Sequence, residues 1–250
     1  MPSDYSTSAK PQAPSDCTAS EVGDLAEASE VARPPREVVR FYSRVGRLFE
    51  VWGRVIDFRA RARVQELCAV ADGEAVLEVG VGTGSQLVRL ACANPSGRTV
   101  GVDLADGMIN ESRRRLSAAG IANAEVLRAG ACDLPFVDDS FDLVCSMYVL
   151  DILPWDDIRR ALTEFRRVLR PGGRLVLCHV TPGERRRHRI GDRLYGSGLP
   201  LTGNCRGIRL TSLLKEYGFE QVIREYGAQL LMPSEIVSAR APVRGYLRPR

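Results

Sequence analysis

Two carboxylates and three glycines, set at fixed distances around the end of an apolar run, are the residues of this chain best suited to chemistry. In VLEVGVGTGSQLVRL, residues 76–90, the run closes on Glu78 and gives way to Gly80, Gly82 and Gly84, with Thr83 between the last two. Twenty-five residues beyond Glu78, RTVGVDLA ends in Asp103. A backbone that bare between a strand and a helix lets N–H groups and a helix N-terminus approach a ligand closely. A carboxylate after the next strand can accept hydrogen bonds from both hydroxyls of a ribose. The chemistry is that of holding a nucleoside-bearing small molecule; the plainer alternative is a tight turn that binds nothing.

Other nucleotide motifs fit less well. The dinucleotide fingerprint G-x-G-x-x-G needs glycine at position 85, where this chain has Ser85, so a nicotinamide enzyme is a weaker alternative. No Gly-Lys-Ser/Thr follows the turn, which excludes a P-loop.

The elements that must position these residues follow from the pattern around them. From Glu74 onward, strands at 75–80, 98–103, 124–129, 140–146 and 173–180 alternate with helices at 84–93, 106–119 and 155–169. Such alternation predicts an α/β, doubly wound, Rossmann-like sheet with helices on both faces. Further on, LTSLLKEYGFEQVIREYG reads as helix, glycine stop and strand, and SEIVSARAP as one more strand. VLRPGGRLVL closes a helix at Pro171, Gly172 and Gly173 and starts the fifth strand.

Before this block, residues 1–33 are rich in Ser, Ala, Pro and acids and read as a disordered tail. Residues 34–70 are amphipathic, with Val38, Phe41, Tyr42, Val45, Phe49, Trp52 and Ile56 at helical intervals. They are expected to form a helical lid over the acceptor pocket. A cofactor-binding core is assigned to 71–182, a variable insert to 183–205, and a C-terminal helix and strands to 206–250.

Composition narrows the setting. The chain has 250 residues and a formal charge of +4, built from 33 Arg and only 2 Lys. So lopsided a ratio is most simply genome composition, with arginines on solvated faces. Seven scattered cysteines with no C-x-x-C indicate neither a disulfide framework nor a metal site. With no long apolar run and no signal-like N-terminus, a cytoplasmic location is expected. The segment from Arg36 to Arg63 holds eight Arg against Glu37, Glu50 and Asp57. It suits a peripheral contact with an anionic membrane surface, and equally a helix packed on the sheet with arginines in water. ERRRHRIGDR, 184–193, suits an acidic substrate or plain solvation.

VLEVGVGTG, VGVDLADGMI, DLPFVDDSFDLV and LRPGGRLVL, in that order, resemble the class I S-adenosylmethionine-dependent methyltransferases, in particular the ubiquinone/menaquinone C-methyltransferase-like branch (methyltransferase type 11). The resemblance spans about residues 38–240 and implies a seven-stranded, mostly parallel sheet and S-adenosylmethionine as cofactor. It implies that Glu78 faces the methionine amino group and that the turn of Gly80, Gly82, Thr83 and Gly84 passes under methionine and ribose. Asp103 would hold the ribose hydroxyls, Leu104 and Met108 would pack on adenine, Ala131 and Cys132 would line its edge, and Ser146 would border the methionine end. Where relatives often carry an acid toward the adenine amino group, this chain has Gly130, which leaves that recognition to backbone groups or Asp133.

Transfer of a methyl group from a sulfonium is an in-line displacement, which needs a base only if the acceptor starts protonated. Tyr148, Asp151 and His179 are the candidates for such a base, each matched by a reading as hydrogen-bonded packing. The acceptor implied is a small molecule or lipid: a quinone precursor, lipid or natural product. No nucleic-acid partner is expected, since no recognition module accompanies the modest charge. The alternatives from other classes are an NAD(P)-dependent Rossmann enzyme and a catalytically silent adenosyl-binding protein.

Overall fold

A computed structural model describes residues 58–184, 188, 205–229 and 232–243. The expected tail, the helical segment before Phe58 and most of the 184–193 arginine run lie outside the described residues. Helix α1 (Phe58–Cys68) leads into strand β1 (Ala75–Val79), α2 (Ser85–Cys92), β2 (Arg98–Asp103), α3 (Asp106–Ala118), β3 (Ala124–Arg128) and β4 (Phe141–Met147). A short 3₁₀ turn (Leu150–Ile152), α4 (Trp155–Val168), β5 (Leu169–Val180), α5 (Thr211–Glu216), β6 (Glu220–Gln229) and β7 (Met232–Arg240) complete the order.

The seven strands form one sheet in the order β3-β2-β1-β4-β5-β7-β6. Pairings are parallel from β3 through β5. β7 runs antiparallel to both neighbours. After β1 the chain winds outward to β2 and β3, then returns to the other side of β1 for β4. The crevice at that reversal, beyond the carboxyl ends of β1 and β4, is where doubly wound sheets bind ligands.

Apolar spacing decides which face each helix covers. In α4, Ile158, Ala161, Leu162, Phe165 and Val168 are buried at helical intervals. They pack with α5 residues Leu213 and Leu214 on Leu77, Val100, Leu175 and Val237 of the sheet. On the opposite face, Val64 and Cys68 of α1 meet Val76, Leu143, Cys145 and Val176, while α2 and α3 cover Val81 and Val126. The first part of the expected lid that is described therefore packs on a sheet face. Arg174 fastens it there, donating to the Cys68 carbonyl at its C-terminus and to both carboxylate oxygens of Glu74.

One expectation about local structure changes. The fifth strand starts at Leu169, directly at the end of α4, and not after the glycines. Arg170 precedes Pro171, whose ring disfavours helical backbone at the residue before it. Phe141 pairs with Leu169 and Leu143 with Arg174, so Pro171, Gly172 and Gly173 form an excursion within the strand. Several arginines of the described helices form ion pairs along their own helix. Arg114, Arg159, Arg160 and Arg167 each pair with an acid three residues earlier. No helix among the described residues is long and apolar enough to cross a membrane.

Candidate active site

The turn after β1 is held by β2. The N–H groups of Gly80 and Val81 both donate to the Val102 carbonyl, at 2.8 and 3.0 Å. Its glycines at 80, 82 and 84 have φ of +77°, +52° and +80°, the region that side chains rarely adopt. At Gly80 space matters as well, because a Cβ would lie 2.1 Å from Val149 Cγ2. At Gly82 the reverse holds: a Cβ would meet nothing within 4 Å, so this peptide faces open space. Thr83, half-buried, completes the turn.

Asp103 braces the turn from β2. Its Oδ2 accepts the Gly82 N–H and its Oδ1 the Ala105 N–H, each at 2.9 Å. An ionised carboxylate offers about four lone-pair sites, so acceptor capacity remains for ligand hydroxyls. Burial raises the Asp103 pKa, and the N–H groups of Ala105, Gly82 and Leu104 pull it back.

Glu78, at the end of β1, is nearly inaccessible, and its Oε2 has no hydrogen-bond partner among the described residues. Burial pushes its carboxyl up to about 8; Arg61 opposes the rise and Asp103 adds to it. A buried acceptor left unpaired costs about 1–3 kcal/mol, which a cationic donor such as an ammonium group would relieve. The orphaned oxygen of Glu78, the open peptide at Gly82 and the spare acceptor sites of Asp103 fit the amino-acid end and ribose of S-adenosylmethionine.

The remaining predicted residues gather along the same edge with different surroundings. Leu104 is 45% exposed, an unusual state for a leucine, and lies beside Gly130. Asp133, exposed, is joined to Gly130 by a hydrogen bond between their backbones. Met108 is buried in the first turn of α3. Ala131 belongs to the α4-side core, and the Cys132 thiol donates to the Asp157 carbonyl of α4. The Ser146 hydroxyl donates to the Val79 carbonyl at 2.9 Å, tying β4 to β1.

Beyond β4, Tyr148 takes a left-handed conformation, φ +55°, and its hydroxyl lies 3.1 Å from Ser234 Oγ of β7. Backbone strain of this kind on a non-glycine residue collects at functional sites. Asp151 is fully buried; its Oδ2 accepts the Val180 N–H at 3.1 Å, and its main-chain carbonyl accepts from Arg206. Burial pushes its carboxyl up to about 6, opposed by the Val180 N–H and by His179. That geometry is a brace between the 3₁₀ turn and β5.

His179 is buried too, with Nε2 3.5 Å from Glu235 Oε1 on β7. Glu235 Oε2 accepts from Thr181 Oγ1 and Arg224 Nε, and Arg224 also reaches Glu184. Burial alone would raise the Glu235 carboxyl, but His179 and Arg224 outweigh it and lower its pKa. The Tyr226 hydroxyl lies 2.7 Å from His188 Nδ1 next to this group. Sequence reasoning missed Glu235, Arg224, Thr181 and Tyr226. They lie on β6, on β7 and just past the end of β5, and only the antiparallel register of β7 brings them together.

Residues 76–173 match the family model described as "Methyltransferase domain". Over that stretch the chain is similar to S-adenosylmethionine-dependent methyltransferases. It is 37% identical over 145 residues to a demethylmenaquinone methyltransferase of Clavibacter sepedonicus, covering 58% of this chain and 56% of that protein. A Bacillus velezensis protein of the same name is 30% identical over 148 residues, covering 57% and 63%. The chain thus spans less than two-thirds of the length of these relatives. The N-methyltransferase NodS of Bradyrhizobium japonicum, solved with S-adenosyl-L-homocysteine, shares the fold at TM-score 0.60 and 19% identity, over 74% of this chain and 87% of that one.

Proposed function

We propose that this protein transfers the sulfonium methyl group of S-adenosylmethionine to a small amphipathic acceptor, and that a reduced quinone ring is the acceptor class to test first. The observation that carries the activity is the convergence on one crevice of the open Gly82 peptide, the backbone-braced Asp103 and the buried, unpartnered Glu78 Oε2. The quinone reading is supported by the names of relatives that match over about 145 residues.

When bound, the cofactor supplies an electrophilic methyl carbon and a neutral thioether leaving group. The protein's part is to hold that carbon in line with the acceptor and to keep water out. Glu78 would hold the ammonium group, Asp103 the ribose hydroxyls, and Leu104 would offer its exposed side chain to the adenine face. If the acceptor enters protonated, its proton must leave as the new bond forms. The His179 imidazole, or Tyr148 in its phenolate form, is the group suited to accept it. Asp151, engaged by the Val180 N–H, serves better as a brace than as a base.

Incubating the full chain with methyl-labelled S-adenosylmethionine and a panel of reduced quinones, phospholipids and amines tests both levels of the proposal. Label is expected in the quinone fraction. Label confined to another class would overturn the quinone reading, and binding without transfer to any acceptor would overturn the activity.

A further inference from the structure

Methyl transfer can happen only where the sulfonium lies, and in the methyl donor a short methylene chain joins the sulfur to the amino-acid group. Whatever holds that group fixes the side of the sheet at which the acceptor must arrive. Resting on the reading of the site given above, in which Glu78 holds it, we infer that Tyr148, turned onto the Glu78 face of the sheet and held there by Ser234 of β7, packs against the ring of an aromatic acceptor.

Side chains alternate between the two faces along a strand, and the sheet sorts the candidate groups accordingly. Val76 of β1, Cys145 and Met147 of β4, Cys178 of β5 and Ile236 of β7 belong to the apolar cluster under α1. Glu78, two residues after Val76 and paired with Cys145, shares that face. On the same side α1 borders the cofactor turn, where Arg61 Nη1 donates to Ser85 Oγ at 3.1 Å. Tyr148 packs against the α1 cluster, and Ser234, two residues before Ile236, meets its hydroxyl there. His179 and Glu235, paired across β5 and β7, fall on the opposite face with Leu175, Leu177 and Val237. Both are nearly inaccessible, whereas Tyr148 is half-buried.

Backbone conformation puts Tyr148 on that side. Met147 already points into the α1 cluster, so simple alternation would send the next side chain to the α4 face. The left-handed φ of +55° at Tyr148 reverses this, a conformation that a non-glycine residue keeps only where its surroundings impose it. They do so at both ends of the residue: its N–H donates to the Cys178 carbonyl at 2.7 Å, and its hydroxyl lies 3.1 Å from Ser234 Oγ. The next residue, Val149, fills the space that a Cβ at Gly80 would need, which seats this segment directly against the cofactor turn. A tyrosine ring fixed beside the methyl donor can stack on, or meet the edge of, a flat acceptor ring and gain more than burial alone gives. Ser234 is then a positioning residue, acting through the orientation of that ring.

The test titrates the full chain, loaded with S-adenosylhomocysteine, with naphthol as an aromatic probe, followed by calorimetry. The natural protein is expected to bind the probe saturably, and Tyr148→Ala should weaken it about tenfold or more. Tyr148→Phe and Ser234→Ala break the same hydroxyl pair, so each should weaken the probe about two- to fivefold, and the double variant no further than either alone. Ser234→Thr, which keeps the hydroxyl, should restore the natural value, and S-adenosylhomocysteine affinity should stay within about threefold throughout. Unchanged probe binding in Tyr148→Ala, additive losses in the double variant, or a matching loss of S-adenosylhomocysteine affinity would overturn the inference. A natural protein that binds S-adenosylhomocysteine but not naphthol would overturn it too and leave the methyltransferase reading intact. Failure to bind S-adenosylhomocysteine would overturn both.

Discussion

At the β1 and β2 end of the carboxyl edge, Glu78 Oε2 and Gln86 Oε1 are buried with no partner among the described residues. At the β5 and β7 end, Glu235 is just as buried but accepts from Arg224 and Thr181 and has His179 3.5 Å away. The first arrangement gives its unpaired acceptors no opposite charge of their own, whereas in the second Glu235 Oε2 is engaged and the unpaired Glu235 Oε1 and His179 Nε2 face each other at 3.5 Å, with His179 Nδ1 also unpaired among the described residues. The difference teaches where this fold has traded stability for binding. The unpaired groups at the β1 and β2 end are the ones a bound ligand would partner under the proposed function. The ion group at the other end joins β6 and β7 and sets Glu235 beside His179 of β5.

Substitutions on the two sides should therefore differ in what they change. The largest effect is expected from Glu235→Ala, which strands His179 in the core. It should destabilise the fold by about 2–4 kcal/mol, at the lower end of what breaking a buried pair costs because Arg224 reaches water and keeps Glu184. Chemical denaturation measures this, and S-adenosylhomocysteine affinity should stay within a few-fold. A matching loss of affinity would show that the halves are not separable.

Asp103→Ala should do the opposite. Losing a charged acceptor for two hydroxyls costs about 1.5–3 kcal/mol of binding, or roughly ten- to a hundredfold, read by calorimetry. Melting temperature should fall less than for Glu235→Ala, since the turn keeps its Val102 anchor.

A smaller effect of mixed sign is expected from Glu78→Gln. The Glu78 carboxyl is raised to about 8 in the ligand-free fold, so its contribution to stability is full below the ordinary carboxylate range and lost as pH rises through about 8. The neutral glutamine avoids that loss. Ligand-free Glu78→Gln should melt about 2–4 °C higher than the natural protein at pH 8, with the gap closing toward pH 5, while its cofactor affinity drops about tenfold. A variant less stable at pH 8 would place Glu78 among the satisfied groups and erase the contrast.

The two halves also differed in how well the sequence announced them. Glu78, the glycine turn and Asp103 sit within one strand-turn-helix-strand stretch, where local spacing carries the geometry, and the expected strands and helices from 75 to 168 fall within a residue or two of those observed. The start of β5 is hidden because the glycines of RPGG look like a helix stop, whereas Pro171 already disfavours helical backbone before them. Glu235 gave no signal. It lies 56 positions from His179, in a strand whose antiparallel direction is not encoded in either local pattern. Arg61 was legible only as one of many arginines, since nothing in α1 itself says that it reaches Ser85. The aromatic helix around Phe41 and Trp52 lies outside the described residues.

The central claim is that the crevice at β1 and β2 is a site for S-adenosylmethionine and not for a dinucleotide. Titration of the full chain with S-adenosylhomocysteine and, separately, with NAD tests it most directly. The account predicts saturable heat from S-adenosylhomocysteine, lost or strongly weakened in Asp103→Ala, and none from NAD. Heat from NAD alone, or S-adenosylhomocysteine binding that Asp103→Ala leaves unchanged, would contradict it.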